Sequence, residues 1–218
     1  NSEAHFGFEH KMPGSIPRGP EIKGNMFVEA TNFCSAQDQS EKLEYFLEGL
    51  EIFERLFGYR SVTIIPPNYT WSPDYDKPVY DKGVKFFQGS RKMREPVPGG
   101  RTRYHNLYLG KKNKLGQIHL MRNAIFEPSL FSLRIPDPVD KCLSDMSIAF
   151  RSFKPVIICS HRVNYSGFVD ESNRDRTLKM LKRLLTIALK YWPEIEFMSS
   201  DKLGLIIATD KIDHAKNV

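Results

Sequence analysis

A histidine at the end of an apolar run is the first place where this chain could do chemistry. In "KPVIICSHRVNYSG", residues 154–167, His161 follows a stretch that reads as a buried strand and stands beside Arg162 and Asn164. A ring held on so rigid an element can carry a proton, ligate a metal or fill a hydrogen-bonding role in the core. A second group is "PPNYTW" at 66–71, where two prolines stiffen a turn and Asn68, Tyr69 and Trp71 supply an amide, a phenol and an indole. Aromatic faces beside an amide suit a sugar ring, whose C–H face stacks and whose hydroxyls need partners. The other reading of that stretch is a proline-rich turn with Trp71 packed into the core. The third group is "HFGFEH", with His5, Glu9 and His10. Histidine is a common zinc ligand, and such a pair could supply two of the three protein ligands of an open catalytic site, although the spacing is i to i+5 where a helical zinc site uses i to i+4.

Two carboxylates stand alone. Asp170 in "VDESNRDR", with Asn173, is suited to starting a helix. Glu127 in "FEPS" could be catalytic, but the sequence shows no second carboxylate to pair with it as a glycosidase requires. The chain has no G-x-S-x-G elbow, no P-loop and no dinucleotide fingerprint, which weighs against serine-hydrolase, phosphoryl-transfer and nicotinamide chemistry.

These residues need elements to position them. An apolar stripe from Leu43 to Phe57 predicts a helix from Asp38 to Phe57, with Ser40 as cap and Gly58 as terminator. "RSVTIIPP" and "VKFFQG" read as strands, flanking a segment with Ser72 as cap, Pro73 in the first turn and Gly83 at the end, broken at Pro78. Residues 90–114 are too long and polar for an ordinary connection and predict an excursion. "LGQIHLMRNAIFEP" reads as one strand, followed by a helix from Pro138 to Phe153, the strand "PVIICS", a helix from Asn173 to Trp192, a last strand "IEFMS" and a short last helix. The Pro- and Gly-rich stretch 11–24 reads as a loop. Alternation of strand and helix predicts an α/β fold with parallel strands, whose chemistry belongs at the C-terminal strand ends.

The 218 residues, 40% hydrophobic, suffice for one core, so a single domain over 1–218 is expected. No apolar run approaches the roughly 18–20 residues of a membrane span, so a soluble chain is expected. Cys34, Cys142 and Cys159 are odd in number and widely spaced, unlike a disulfide framework or a zinc knuckle. Of the net charge of +6, much lies between Lys82 and Lys114, where ten Lys or Arg face one acid, Glu95. A solvated basic loop accounts for this better than nucleic-acid binding, since no nucleic-acid motif accompanies it.

The order of features, an early His pair, "PPNYTWSP" after a strand, then an apolar strand ending in "SHRVNY", resembles the polysaccharide deacetylases of the carbohydrate esterases and their glycosidase relatives. The resemblance implies an irregular (β/α) barrel of about seven strands. It also implies a divalent metal, zinc first, held by one aspartate and two histidines, with a second aspartate as base. By position His161 is the general acid, His10 and His5 the metal ligands, and Asn68, Tyr69, Trp71, Arg162 and Asn164 the wall of the sugar site. The family's first motif, a strand ending in two aspartates, has no counterpart here, since no aspartate precedes Asp38. The barrel is therefore expected to be truncated, with its N-terminal strand missing, or else the protein lacks that base. The expected function is a metal-dependent hydrolase removing acetyl groups from a polysaccharide or oligosaccharide. The alternatives are an inactive carbohydrate-binding member of the same fold and a related glycosidase.

Overall fold

The structure is a computed structural model that describes residues 7–11, 30–130 and 137–213. His5 and nearly all of the predicted 11–24 loop lie outside those residues. In chain order the elements are α1 (Ala36–Phe57), β1 (Thr63–Ile64), α2 (Asp76–Asp81), β2 (Phe86–Gly89), β3 (Lys92–Val97), β4 (Arg101–Asn106), β5 (Ile118–Met121), β6 (Ala124–Ile125), α3 (Pro138–Arg151), β7 (Ile158–Cys159), α4 (Glu171–Tyr191) and α5 (Ser200–Asp213), with short 3-10 turns between them. They gather into two compact units, one of residues 30–121 with 198–213 and the other of 122–197 with 7–11. No helix is long and apolar enough to cross a membrane.

The first unit is built on a parallel sheet in the order β1-β2-β5. Its core is Phe33, Ile64, Trp71, Tyr75, Val79, Val84 and Phe87, against which Leu43, Phe46, Leu47 and Leu50 of α1 lean without being buried. The cap of α1 is Ser35, not Ser40: its side chain accepts from the Asp38 N–H, while Gly58 closes the helix at φ 74°. Ser35 wins because the chain turns there, so its hydroxyl reaches an N–H that would otherwise lack a partner. Ser72 caps as expected, accepting from the Asp74 N–H before a 3-10 turn that runs into α2. His119 of β5 is buried and stacks on Phe87, with 5.3 Å between ring centroids, and burial beside Lys111 lowers its pKa to about 4. It is a neutral core residue at neutral pH.

The basic excursion is a hairpin. β3 and β4 pair antiparallel from Lys92↔Asn106 to Val97↔Arg101, and its single acid, Glu95, is shared by Arg103 and His105. Glu95 is enclosed, its side chain 12% exposed, while Arg101 and Arg103 stand in solvent.

In the second unit, β6 and β7 form a separate two-stranded parallel sheet, with β6 packed on α3 and α4 packed on α3 in the same core. Its core is Ala124, Phe126, Val139, Cys142, Met146, Leu184 and Ala188. Asp137 caps α3, with Pro138 in the first turn, and Asp170 caps α4 through the Asn173 N–H. The stretch expected to be one strand after Leu115 is two, β5 and β6, which belong to different sheets. "IEFMS" forms no strand. The fold is therefore mixed α/β with parallel strands, and the described strands close no barrel.

Gly204 is what lets α5 lie on the sheet of the first unit. A Cβ at this position would stand 2.6 Å from ring atoms of Phe86, itself 2% exposed on β2. Exchanging a helical glycine for alanine ordinarily stabilises by about 1 kcal/mol. Here Gly204→Ala is expected to destabilise the protein by about 1–3 kcal/mol through overpacking, read by chemical denaturation. A stabilised variant would contradict the contact.

Candidate functional site

The second unit brings a carboxylate and an imidazole together through strand register. β6 and β7 run parallel with Ala124 opposite Ile158 and Ile125 opposite Cys159. The pairing continues through the Phe126 N–H to the Cys159 carbonyl at 2.9 Å, and the Asn123 side chain pins the other end by bonding both the Pro155 carbonyl and the Ile157 N–H. Glu127 is two residues past Ile125 and His161 two past Cys159, so the register sets them side by side. His161 keeps an extended backbone, φ −118° and ψ 154°. Its Nδ1 lies 2.5 Å from Oε1 of Glu127. An ionised carboxylate only accepts, so in this contact Nδ1 donates and Nε2 is left as the nitrogen that can take or give a further proton. The Glu127 side chain is 10% exposed and that of His161 38%: the anion is enclosed while the ring reaches solvent.

Asn164 is the fixing point. It is fully buried, and the 3-10 turn Arg162–Asn164 folds its amide back onto the site. The amide nitrogen donates to Oε2 of Glu127 at 2.8 Å and to the His161 carbonyl at 2.9 Å, with Ser160 Oγ at 3.2 Å, while its oxygen accepts from the Ser129 N–H at 2.9 Å. The first turns of α4 hold this arrangement from behind. Asn173 donates to the Val163 carbonyl and Ser129 Oγ, and the Thr177 hydroxyl donates to the Asn164 carbonyl. The Tyr165 hydroxyl and Ser160 Oγ lie 2.6 Å apart, and burial raises the phenol's pKa, opposed by that hydrogen bond and reinforced by the charge of Glu127.

Cys159 adds a sulfur on the same side. Side chains two apart on a strand share a face, and ligand atoms of Glu127, Cys159 and His161 all lie within 4.8 Å of one another. Arg122 Nη1 donates to the sulfur at 3.4 Å. These three residues could hold a metal ion, and no other such group occurs among the described residues.

The expected site residues are distributed between the units. Arg162 is exposed, its guanidinium 5.6 Å from the Phe8 ring centroid. Asn164 lies beneath the site and holds Glu127, so it is not a surface that meets a sugar. His10 is exposed in a turn of the same unit and is not in the metal-competent group, while His5 lies outside the described residues. In the first unit, Asn68 and Tyr69 follow the prolines with positive φ of 49° and 53°, and Tyr69 borders a small cavity with Phe87, Gln88, Met93 and His119. Trp71 is 1% exposed, packs edge-on against Phe46, Tyr75 and Phe87, and donates its N–H to Asp76. The core reading of Trp71 is the one the structure bears out, because an enclosed indole has no face left for a sugar.

Glu127 and Cys159 gain their meaning only here. The one sequence signal for the pair was the equal distance of Glu127 and His161 from the ends of their strands, hidden while β5 and β6 read as one strand. No family model, curated protein or solved structure matches this chain.

Because Asn164 satisfies a buried carboxylate and a buried N–H together, Asn164→Ala is expected to cost about 2–4 kcal/mol of stability, measured by denaturant unfolding. A loss below about 0.5 kcal/mol, the range of a surface substitution, would contradict its role as the fixing point.

Proposed function

We propose that the protein is a hydrolase that removes acetyl groups from a polysaccharide or oligosaccharide, with His161 carrying the proton. The observation that supports this reading best is the contact between His161 Nδ1 and Glu127 Oε1 at 2.5 Å. An enclosed carboxylate fixes the tautomer and orientation of a ring that is open to solvent, the arrangement used where an imidazole accepts a proton and then delivers it. As water attacks the acetyl carbon, the water proton has to leave; as the bond from carbon to the sugar oxygen or nitrogen breaks, the departing atom needs one. In this reading His161 Nε2 takes the proton from the attacking water and then gives it to the departing oxygen or nitrogen, and the imidazolium formed between the two transfers is stabilised by Glu127. Arg162, the exposed residue that follows His161, remains the proposed sugar contact.

The reading keeps the divalent ion of the resembled family, zinc first. When bound, such an ion supplies a polarised carbonyl and a more acidic water. The resemblance gives it to His10 and His5.

The test is turnover of acetylated oligosaccharides across a titration of zinc from none to excess, followed as released acetate. His161→Ala is expected to lower kcat/KM by about 10²–10⁴-fold. Glu127→Gln, which removes the charge that fixes the tautomer, is expected to lower kcat by at least about 10²-fold. Full activity in His161→Ala would end the assignment. Glycan binding with no turnover in any form would favour the inactive carbohydrate-binding reading.

A further inference from the structure

Glu127, Cys159 and His161 offer three different donors, a carboxylate oxygen, a sulfur and an imidazole nitrogen, within 4.8 Å of one another. That donor set selects among ions. Magnesium and calcium are bound by oxygen alone, whereas a sulfur beside an imidazole suits zinc and its transition-metal neighbours. As ligands, carboxylate and thiolate supply two negative charges, which a divalent ion balances. Three protein ligands with a fourth position open to water is also the pattern of accessible zinc sites, and His161 is partly exposed, so an ion has a way in.

The surroundings are arranged as ligand supports. Asn164 donates to Oε2 of Glu127, which orients the carboxylate with Oε1 toward the imidazole. Arg122 Nη1 donates to the sulfur of Cys159, so that atom is already held as an electron-pair donor. Groups that orient ligands in this way ordinarily contribute to metal affinity.

We infer that Glu127, Cys159 and His161 bind a divalent ion of the zinc class, which takes the place of the proton between the carboxylate and the imidazole. This set is separate from the His10 and His5 ligands of the proposed catalytic ion. The ion occupies both members of the proton-carrying pair, so the loaded protein is the form in which that pair is out of use. The last consequence rests on the hydrolase reading; the binding does not.

The experiment is a titration of the full chain with cobalt(II), which enters zinc sites and reports a sulfur ligand through a near-ultraviolet thiolate-to-metal absorption, followed by displacement with zinc. The wild-type chain is expected to show that absorption. Cys159→Ser is expected to lose it and to weaken zinc by roughly 100-fold, at least the cost of losing a supporting group. Glu127→Gln is expected to keep the absorption and bind about tenfold or more weakly, and circular dichroism checks that each variant is folded. The Glu127 variant carries the test if Cys159→Ser does not fold. Cobalt binding without a thiolate absorption overturns the inference, as does an absorption that persists in Cys159→Ser, which would place the sulfur at Cys34 or Cys142. As zinc is added, acetate release is further expected to rise with the catalytic ion and then fall as the Glu127, Cys159 and His161 site fills, the fall being absent from Cys159→Ser. A chain with no turnover in any metal state counts against the hydrolase reading while the cobalt spectrum still decides the binding site.

Discussion

A carboxylate shielded to 10% exposure has to be paired, and most of the second unit's local structure serves that requirement at Glu127. An unpaired buried anion would cost several kcal/mol. The imidazole of His161 takes one oxygen and the amide of Asn164 the other. Meeting that demand fixes three things together: the register of β6 against β7, the 3-10 turn that returns Asn164, and the first turns of α4, which bind the turn through Asn173 and Thr177. The backbone near the site is organised around one anion, and of the partners His161 and Asn164 the His161 ring is the one that reaches solvent.

Much of this was legible in the residues, and the limits have physical causes. His161 at the end of an apolar strand, Asp137 and Asp170 as caps, and Ser72 before Pro73 are local signals, and local signals survive tertiary packing. Trp71 could not be settled from sequence, because an indole in a proline-rich turn looks the same whether it faces solvent or the core. Asn164 was misread for a related reason: its four side-chain hydrogen-bond contacts depend on a turn whose direction the sequence does not declare. Glu127 looked isolated because residues 115–128 carry one apolar rhythm across two strands. The break at Arg122–Asn123 sends them to different sheets, and only that break brings Glu127 level with His161.

Each unit pairs one enclosed carboxylate with a partly exposed histidine. In the first, the basic hairpin is held in solvent and its lone acid is shared between two basic side chains, while the buried ionisable ring, His119, is kept neutral by burial and stacks on Phe87. In the second, an anion is enclosed and its partner left accessible. What sets the second apart is Cys159 beside the pair, which makes three donors that could hold a metal ion.

The central claim is that Glu127 fixes the tautomer of His161, and nitrogen-15 NMR of the imidazole reads this most directly. The account predicts a protonated Nδ1 with a strongly downfield, slowly exchanging proton, and a ring that reverts to the Nε2-protonated tautomer in Glu127→Gln. An Nε2-protonated ring in the wild-type protein, unchanged in that variant, would contradict it.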